Sequence, residues 1–540
     1  MAIFLNPDNN NFRENLASKI YVDKSLIVHE LNQIINTNDK YVCISRPRRF
    51  GKSMAGNLIS AYYSKGADSK ELFKGLKLAT TPDFESNLNK FNVIKIDING
   101  CFQNKSTGVS TTKYFTNKVI AELKEYFNSV DIEENATLPD ALMNIYSETK
   151  EQFIILLDEY DVLVREKCPK EEFEEYLSFL NGMFKNADLQ PAIALAYVTG
   201  ILPIVRDKIQ SKLNNFDEYT MTGARQLTEF AGFTESEVKE LCTKYKLDFE
   251  ECKRWYNGYE MTTFNEDFMP CNMSLYSPRS LVCAIQNHRF GDYWTKTSSY
   301  EALSNYINVN YEGIKDDIAR MMGGAKVKVD VLTYLNTMTD FKSKDDVFTY
   351  LIHLGYLAYD IEKESCYIPN SEVRNEWVVA LKNTQGYETI VEMLKTSDDL
   401  LEATLEMDEK AVEEALDKAH SLTMNNMTYN KENCFQSAII LAYYTARADY
   451  TIITELPGGK GYADVVFIPY RCEKPALIIE LKNSAKAADQ TALEQIKNKK
   501  YFDALESYKG NMLLIGVSYN PDTKEHSCKI EEMSKTSGFY

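Results

Sequence analysis

The sequence has no long apolar run. Its longest stretches of aliphatic residues and phenylalanine, such as Phe153–Leu157 and Ala192–Ala196, are about five residues, whereas a helix crossing a bilayer needs about twenty. No membrane partner is therefore expected. The first twenty residues lack a basic start, an apolar stretch and a small-residue cleavage site, so no secretory signal is readable and a cytoplasmic location is expected. Histidine is scarce, with five in the chain, and the eleven cysteines are scattered without a C-x-x-C pair. That excludes a zinc-finger pattern and a disulfide framework, and reads as reduced, mostly structural thiols. Positive charge is also short: the net charge is −18, which as a total counts against a nucleic-acid partner. The excess acid is unevenly placed. Residues 421–540 contain equal numbers of basic and acidic side chains, so residues 1–420 hold all of it. Within the neutral end, Lys482, Lys486, Lys497, Lys499, Lys500 and Lys509 fall in one stretch. They can follow a phosphate backbone, and a solvated helix face explains them equally well.

Low-complexity character is absent too. Apolar residues are 44% and charged residues 26% of 540, a balance that folds, at a length suited to roughly three to five units of about 100–200 residues. YVCIS (41–45) is a short apolar strand that enters a Pro/Arg/Gly turn and then the helically spaced MAGNLISAYYS (54–64). FNVIKIDI (91–98), FIILLDEYD (153–161) and AIALAYVTGI (192–201) are further strand-like runs with helical segments between them. Strands alternating with helices imply a parallel, helix-covered sheet. Thr234 and Glu237 form a capping signal, and from there to about residue 420 the pattern is mainly helical. The last stretch reads as helix 435–447, strand 450–455, a Gly-rich turn, strands 463–468 and 475–481, helix 490–506 and strand 511–517. The expected class is α/β. A P-loop NTPase-like parallel-sheet domain spans 1–230, an α-rich lid or connector 231–420, and an α/β domain 421–540.

RPRRFGKS (46–53), between a strand and a helix, matches the second half of G-x-x-x-x-G-K-[ST], whose backbone N–H groups cradle phosphates. Arg46 stands where the motif has Gly. Gly51, Lys52 and Ser53 nevertheless keep a bare backbone, an ammonium for the β/γ-phosphates and a hydroxyl for Mg²⁺. Downstream, FIILLDEYD ends an apolar run in Asp158 and Glu159. Adjacent acids at the end of a buried strand need a cation or cationic partner. Asp158 is expected to hold the Mg²⁺ shell and Glu159 to act as general base for an attacking water, with Asp161 an alternative for either. Thr199, at the end of the next run, is a candidate to meet the γ-phosphate. An ordinary strand-end threonine is the competing reading.

Across 455–482 the sequence reads ELPGGKGYADVVFIPYRCEKPALIIELK, with Asp464 opening one strand and Glu480-x-Lys482 closing the next. Residues i and i+2 of a strand share a face, so Glu480 and Lys482 project together, and pairing can bring Asp464 alongside. Two carboxylates can hold Mg²⁺, or Mn²⁺, while the lysine orients or deprotonates a water attacking a phosphodiester. Strand-end acids and lysines are common enough that this pattern is weak by itself.

YVDKS (21–25), SRPRRFGKS (45–53), ELFKGL (71–76), LLDEYD (156–161) and VTGI (198–201) resemble the AAA-ATPase-like domain at the N-terminus of a large family of ATPase/nuclease fusions. GFTESEV (232–238), WYNGY (255–259), YSPRSL (276–281), FGDYW (290–294), LGYL (354–357) and IPNSEVR (368–374) continue the likeness in order. In that family R-P-R-R-F-G-K-S is the usual loop, which makes Arg46 a feature of the resemblance. It implies an ATP site at Arg49, Gly51, Lys52, Ser53, Asp158 and Thr199, with Ser53 and Asp158 on Mg²⁺ and Arg279 a sensor-type arginine. The C-terminal stretch is similar to the PD-(D/E)XK nuclease domain fused to the same family. Gln495 and Tyr501 match its Q-x(n)-Y extension, and Glu432 and Glu455 its auxiliary acids. Ala463-Asp464 stands where the motif has Pro-Asp. The resemblance implies catalysis by Asp464, Glu480 and Lys482, with metal on Asp464 and Glu480. The expected function is nucleotide-controlled cleavage of nucleic acid, DNA ahead of RNA, with a homo-oligomer left open. The alternative is a nucleotide-switched sensor or scaffold whose nuclease-like domain binds nucleic acid without cutting it.

Overall fold

A computed structural model describes residues 3–204, 206, 207, 210, 211, 213, 215–223, 226–264, 269–294, 300–309, 311–332, 334, 341–423, 432–470, 474–484, 488–505, 508 and 510–533. The chain divides into two compact units, one formed by 1–299 with 328–373 and the other by 300–327 with 374–540.

The first unit is organised by the sheet strands β1 (Tyr41–Ser45), β2 (Asn92–Asp97), β3 (Phe153–Asp158), β4 (Ile193–Gly200) and β5 (Asp217–Tyr219), in the order β2-β3-β4-β1-β5 and parallel throughout. β1 and β4 are buried along their whole length, as continuous apolar strands covered on both faces must be. Helix α1 (Lys52–Tyr63) covers one face, packing Leu58, Ile59, Tyr62 and Tyr63 with Val42, Ile44, Ile154, Leu156 and Leu195. Parallel strands point their carboxyl ends to one edge, where ligands of such sheets collect. That edge carries Ser45, Asp97, Asp158 and Gly200 at the strand ends. The register sets Ile44 against Thr199 and Asp97 against Asp158.

Helices predominate in the middle of the chain. Helix α2 (Glu235–Tyr245) starts on the expected capping box: the Thr234 side chain accepts from the Glu237 amide and the Glu237 carboxylate from the Thr234 amide. The pattern did not reveal the antiparallel sheet made by Phe233–Thr234, β6 (Tyr259–Phe264) and β7 (Pro270–Tyr276). These strands are short and mix polar with apolar residues, so period-2 alternation never emerges. Helix α3 (Pro278–Asn287) follows and packs Leu281, Ala284 and Ile285 with Val238, Tyr256 and Tyr276.

In the second unit α4 (Glu388–Leu405), α5 (Glu409–Thr423) and α6 (Glu432–Ala442) precede β8 (Tyr450–Gly458), β9 (Gly461–Pro469), β10 (Ala476–Asn483), α7 (Asp489–Lys499), β11 (Met512–Asn520) and β12 (Glu525–Met533). The five strands lie in sequence order, antiparallel except for the parallel pair β10–β11 that α7 connects. The helix expected over 490–506 breaks at Lys500, which takes a left-handed φ of 55°. The turn between β8 and β9 crosses the end of α7 so closely that a β-carbon at Gly459 would collide with the Lys499 carbonyl. Strand β12 was not foreseen. Its charged EHSCKIEEM sequence hides it, and α5 explains it. Glu409, Glu413 and Asp417, one helical turn apart, accept hydrogen bonds from the amides of Ile530 (3.0 Å), Cys528 (2.9 Å) and His526 (2.7 Å). Four helical residues rise about 6 Å and two strand residues about 6.8 Å, so the spacings match. An otherwise open sheet edge is thereby covered.

Candidate functional sites

Gly51 caps α1 with φ 88°, and nothing lies within 4 Å of where its β-carbon would stand. That leaves the bare approach a phosphate requires. Lys52, the first residue of α1, is buried and donates to the carbonyls of Arg46 (2.8 Å) and Pro47 (2.9 Å). Burial pulls its pKa down to about 8, against the opposing pull of Asp161, Asp158 and Glu159. An ammonium bonded only to neutral carbonyls in a desolvated site is short of a counter-anion. Arg46 is fully buried and donates to the carbonyls of Ser45 and Tyr219, both at 3.0 Å. Its side chain thus braces the loop from within.

A cavity of about 600 Å³ opens over this loop. Arg48, Arg49, Gly51, Lys52, Ser53, Glu159 and Arg279 form its polar wall, and Tyr21, Val22, Phe50 and Phe233 contribute to its apolar side. The volume and mixed lining suit a nucleotide-sized ligand. Asp158, at the end of β3, accepts from the Thr199 hydroxyl and from the Glu159 amide (3.1 Å). Thr199 is therefore turned onto Asp158. Glu159, with φ 53°, pairs with Arg165 at 2.8 Å. Asp161 is fully buried, and its Oδ2 accepts from Arg165 (3.1 Å) and from the amides of Ile201 and Leu202, bracing the segment after β4, while its Oδ1 has no hydrogen-bond partner. Arg49 lines the cavity in a left-handed conformation, φ 71°, and donates to the carbonyls of Tyr293 (3.2 Å) and Trp294 (3.4 Å). The FGDYW motif carried no chemistry as a sequence, so this partnership had no readable signal.

The second site stands on β9 and β10. Val465 pairs with Ile479, and one step further the register brings Asp464 across from Glu480, where Asp464 accepts from the Leu481 amide at 2.7 Å. Glu480 is buried; its Oε1 accepts from Lys482 (2.9 Å) and from Gln495, which also donates to the Tyr501 hydroxyl at 3.0 Å. Its Oε2 is sealed from solvent without a hydrogen-bond partner. Burial first, and the charge of Asp464 second, push the Glu480 pKa up to about 7. Two facing carboxylates with a buried oxygen unmatched are the donor set an oxygen-seeking divalent cation takes. Gln436 Nε2, from α6, holds the Asp464 carbonyl at 2.6 Å. Glu455, exposed and at φ 52°, does not extend the pair, and no group of three or more His, Cys, Asp or Glu is gathered among the described residues. Glu432 opens α6. Of the lysines, Lys497 pairs with Glu531 at 2.5 Å, while Lys486 and Lys509 lie outside the described residues.

Two stretches of the chain match known family models. Residues 10–210 match the family model of a predicted AAA-ATPase, and residues 430–528 that of the PD-(D/E)XK nuclease superfamily. A relative described as an uncharacterized protein in the vnfD 5′ region of Azotobacter chroococcum mcd 1 is 25% identical over 291 residues. The match covers 52% of this chain and 51% of the relative, so the chain spans about half the length of the curated relative it matches. The Aeropyrum pernix ORC2 protein, solved in ADPNP–ADP complexes, is 12% identical with a TM-score of 0.32, over 70% of this chain and 97% of that one. The ORC1 protein of the same organism, solved with DNA, is 10% identical with a TM-score of 0.24, over 69% and 96%. Likenesses this distant carry no argument. No helix among the described residues is long and apolar enough to cross a membrane.

Proposed function

We propose that this chain, with an AAA-ATPase-like domain and a C-terminal PD-(D/E)XK nuclease-superfamily domain, binds and hydrolyses ATP and cleaves phosphodiester bonds of nucleic acid under nucleotide control, with DNA ahead of RNA. The observation that carries the cleavage reading is the buried, unpartnered Oε2 of Glu480 beside Asp464. Asp464 and Glu480 would hold a Mg²⁺ or Mn²⁺ ion, which would supply Lewis acidity and acidify a water. Lys482, which lies on Glu480 at 2.9 Å, would align the water and the scissile phosphate, and Gln495 fixes the Glu480 carboxylate against Tyr501. In the first unit Lys52 and the loop amides would bind the phosphates, Ser53 and Asp158 are the residues that would hold Mg²⁺, and Thr199 orients Asp158. Glu159 takes the proton of the attacking water when Arg165 yields it.

The test is an assay on plasmid DNA, single-stranded DNA and RNA with Mg²⁺ or Mn²⁺, with and without ATP. Metal-dependent cleavage that ATP changes, and that Glu480→Ala removes, is the expected result. Metal-independent binding without product would replace it with the sensor or scaffold reading.

A further inference from the structure

Arg48 and Arg49 belong to the phosphate-binding loop, yet their ties run outward to a turn about 245 residues away in sequence. The Trp294 indole N–H donates to the Arg48 carbonyl at 3.3 Å, and Arg49 returns two bonds to the carbonyls of Tyr293 and Trp294. Left-handed backbone is costly for an arginine, so Arg49 keeps its φ of 71° only where its surroundings over-determine it. Packing reinforces the tie. Gly355, φ 88°, admits Pro47 so closely that a β-carbon there would stand 2.8 Å from the proline ring, and Tyr356 meets the Trp294 ring with centroids 5.2 Å apart.

The turn is itself held. Glu372, second residue of the helix Ser371–Lys382, is 1% exposed, and its Oε1 accepts from the amides of both Tyr293 and Trp294 at 2.6 Å. The Ser280 hydroxyl reaches the same carboxylate. Ser280 sits on α3 between Arg279 and Val282, both of which line the nucleotide cavity. One buried carboxylate therefore joins two walls of that cavity. Through Trp294 it reaches the phosphate loop, and through Ser280 it reaches the helix that carries Arg279.

We propose that Glu372 is a positioning residue that fixes the phosphate loop and α3 in one geometry, acting through the Tyr293–Trp294 turn. The inference rests on the nucleotide reading of the cavity, and the test separates the two. Trp294→Phe removes one hydrogen bond to the loop and keeps a ring. Glu372→Gln keeps an acceptor for both amides. Glu372→Ala removes the support. Two readouts are taken on the full chain: hydrogen exchange of the amides in 46–51 without nucleotide, and the KM and kcat of ATP hydrolysis. In Glu372→Ala and Trp294→Phe the loop amides are expected to exchange about tenfold faster while β1, β3 and β4 keep their protection. KM for ATP should rise about tenfold with a smaller change in kcat, the signature of a misplaced binding loop. Glu372→Gln should restore most of both. If the unaltered protein binds ATP and folded variants leave loop exchange and KM unmoved, the inference is overturned by itself. If the unaltered protein binds no nucleotide, the reading of the cavity falls and takes the inference with it.

Discussion

Each unit builds its candidate site around a buried ionisable group whose own neighbours leave it incompletely matched, a lysine in one and a carboxylate oxygen in the other. In the first unit a buried ammonium, Lys52, rests on neutral carbonyls, and burial lowers its pKa to about 8. In the second a buried carboxylate, Glu480, faces another carboxylate, and burial and repulsion raise its pKa to about 7. The first site is short of an anion and the second of a cation. On the proposed reading phosphates would answer one and a divalent ion the other, the same physical deficiency read with opposite sign.

The sharpest way to break this comparison is to delete the incompletely matched acid. Glu480→Ala is expected to abolish metal-dependent cleavage, by at least about a thousandfold, or ~4 kcal/mol of transition-state stabilisation, in a plasmid assay with Mn²⁺. Retained cleavage would remove the second site from the chemistry. Lys52→Ala, its counterpart, should weaken ATP about a hundredfold, ~3 kcal/mol for a lost charge-assisted contact with phosphate. Titration with a fluorescent ATP analogue, with circular dichroism confirming the fold, measures it.

Proton competition tests both sites at once, with opposite signs. A carboxylate whose pKa is raised to about 7 is protonated below that pH, so metal affinity at Asp464 and Glu480 should fall about tenfold per unit as pH drops below 7. A lysine whose pKa is lowered to about 8 loses its charge above that pH, so ATP affinity should decline as pH rises past 8. Isothermal titration of Mn²⁺ and of ATP across pH 6 to 9 would show two curves sloping in opposite directions. Parallel slopes would mean that the two deficiencies do not govern binding.

Much of this was legible before any coordinates. Strand–loop–helix at 41–64 and the acids ending FIILLD follow from apolar runs and their terminating residues, because strand periodicity and end placement are local properties. The i, i+2 rule put Glu480 and Lys482 on one face, where they meet at 2.9 Å. The long-range ties were not legible. Nothing local says that Arg49 bonds to residues 293 and 294, or that Arg165 holds Glu159, since the sequence does not encode which distant backbone carbonyl or side chain ends up within reach. Strand β12 escaped for a related reason. Its polar residues look like a surface tail until the acids of α5, themselves read only as an amphipathic helix, are seen to accept its amides.

Those acids supply the smallest and most discriminating test. Glu409, Glu413 and Asp417 have their partners in place. Burial pushes the Glu409 pKa up, but hydrogen bonds from Lys529 and the Ile530 amide outweigh it and hold the group below the usual range. Glu480 also has a lysine, Lys482, on its Oε1, but its Oε2 has no hydrogen-bond partner, and burial with the facing Asp464 moves its pKa the other way. Glu413→Ala leaves the Cys528 amide without its 2.9 Å acceptor and should cost about 1 kcal/mol of stability. Thermal unfolding would register that as a shift of a few degrees at most. Metal affinity at Asp464 and Glu480 should stay within about twofold. If an acid with its partners in place proved as important to the ion as Glu480, an unpartnered buried carboxylate oxygen would no longer be what marks a site in this molecule.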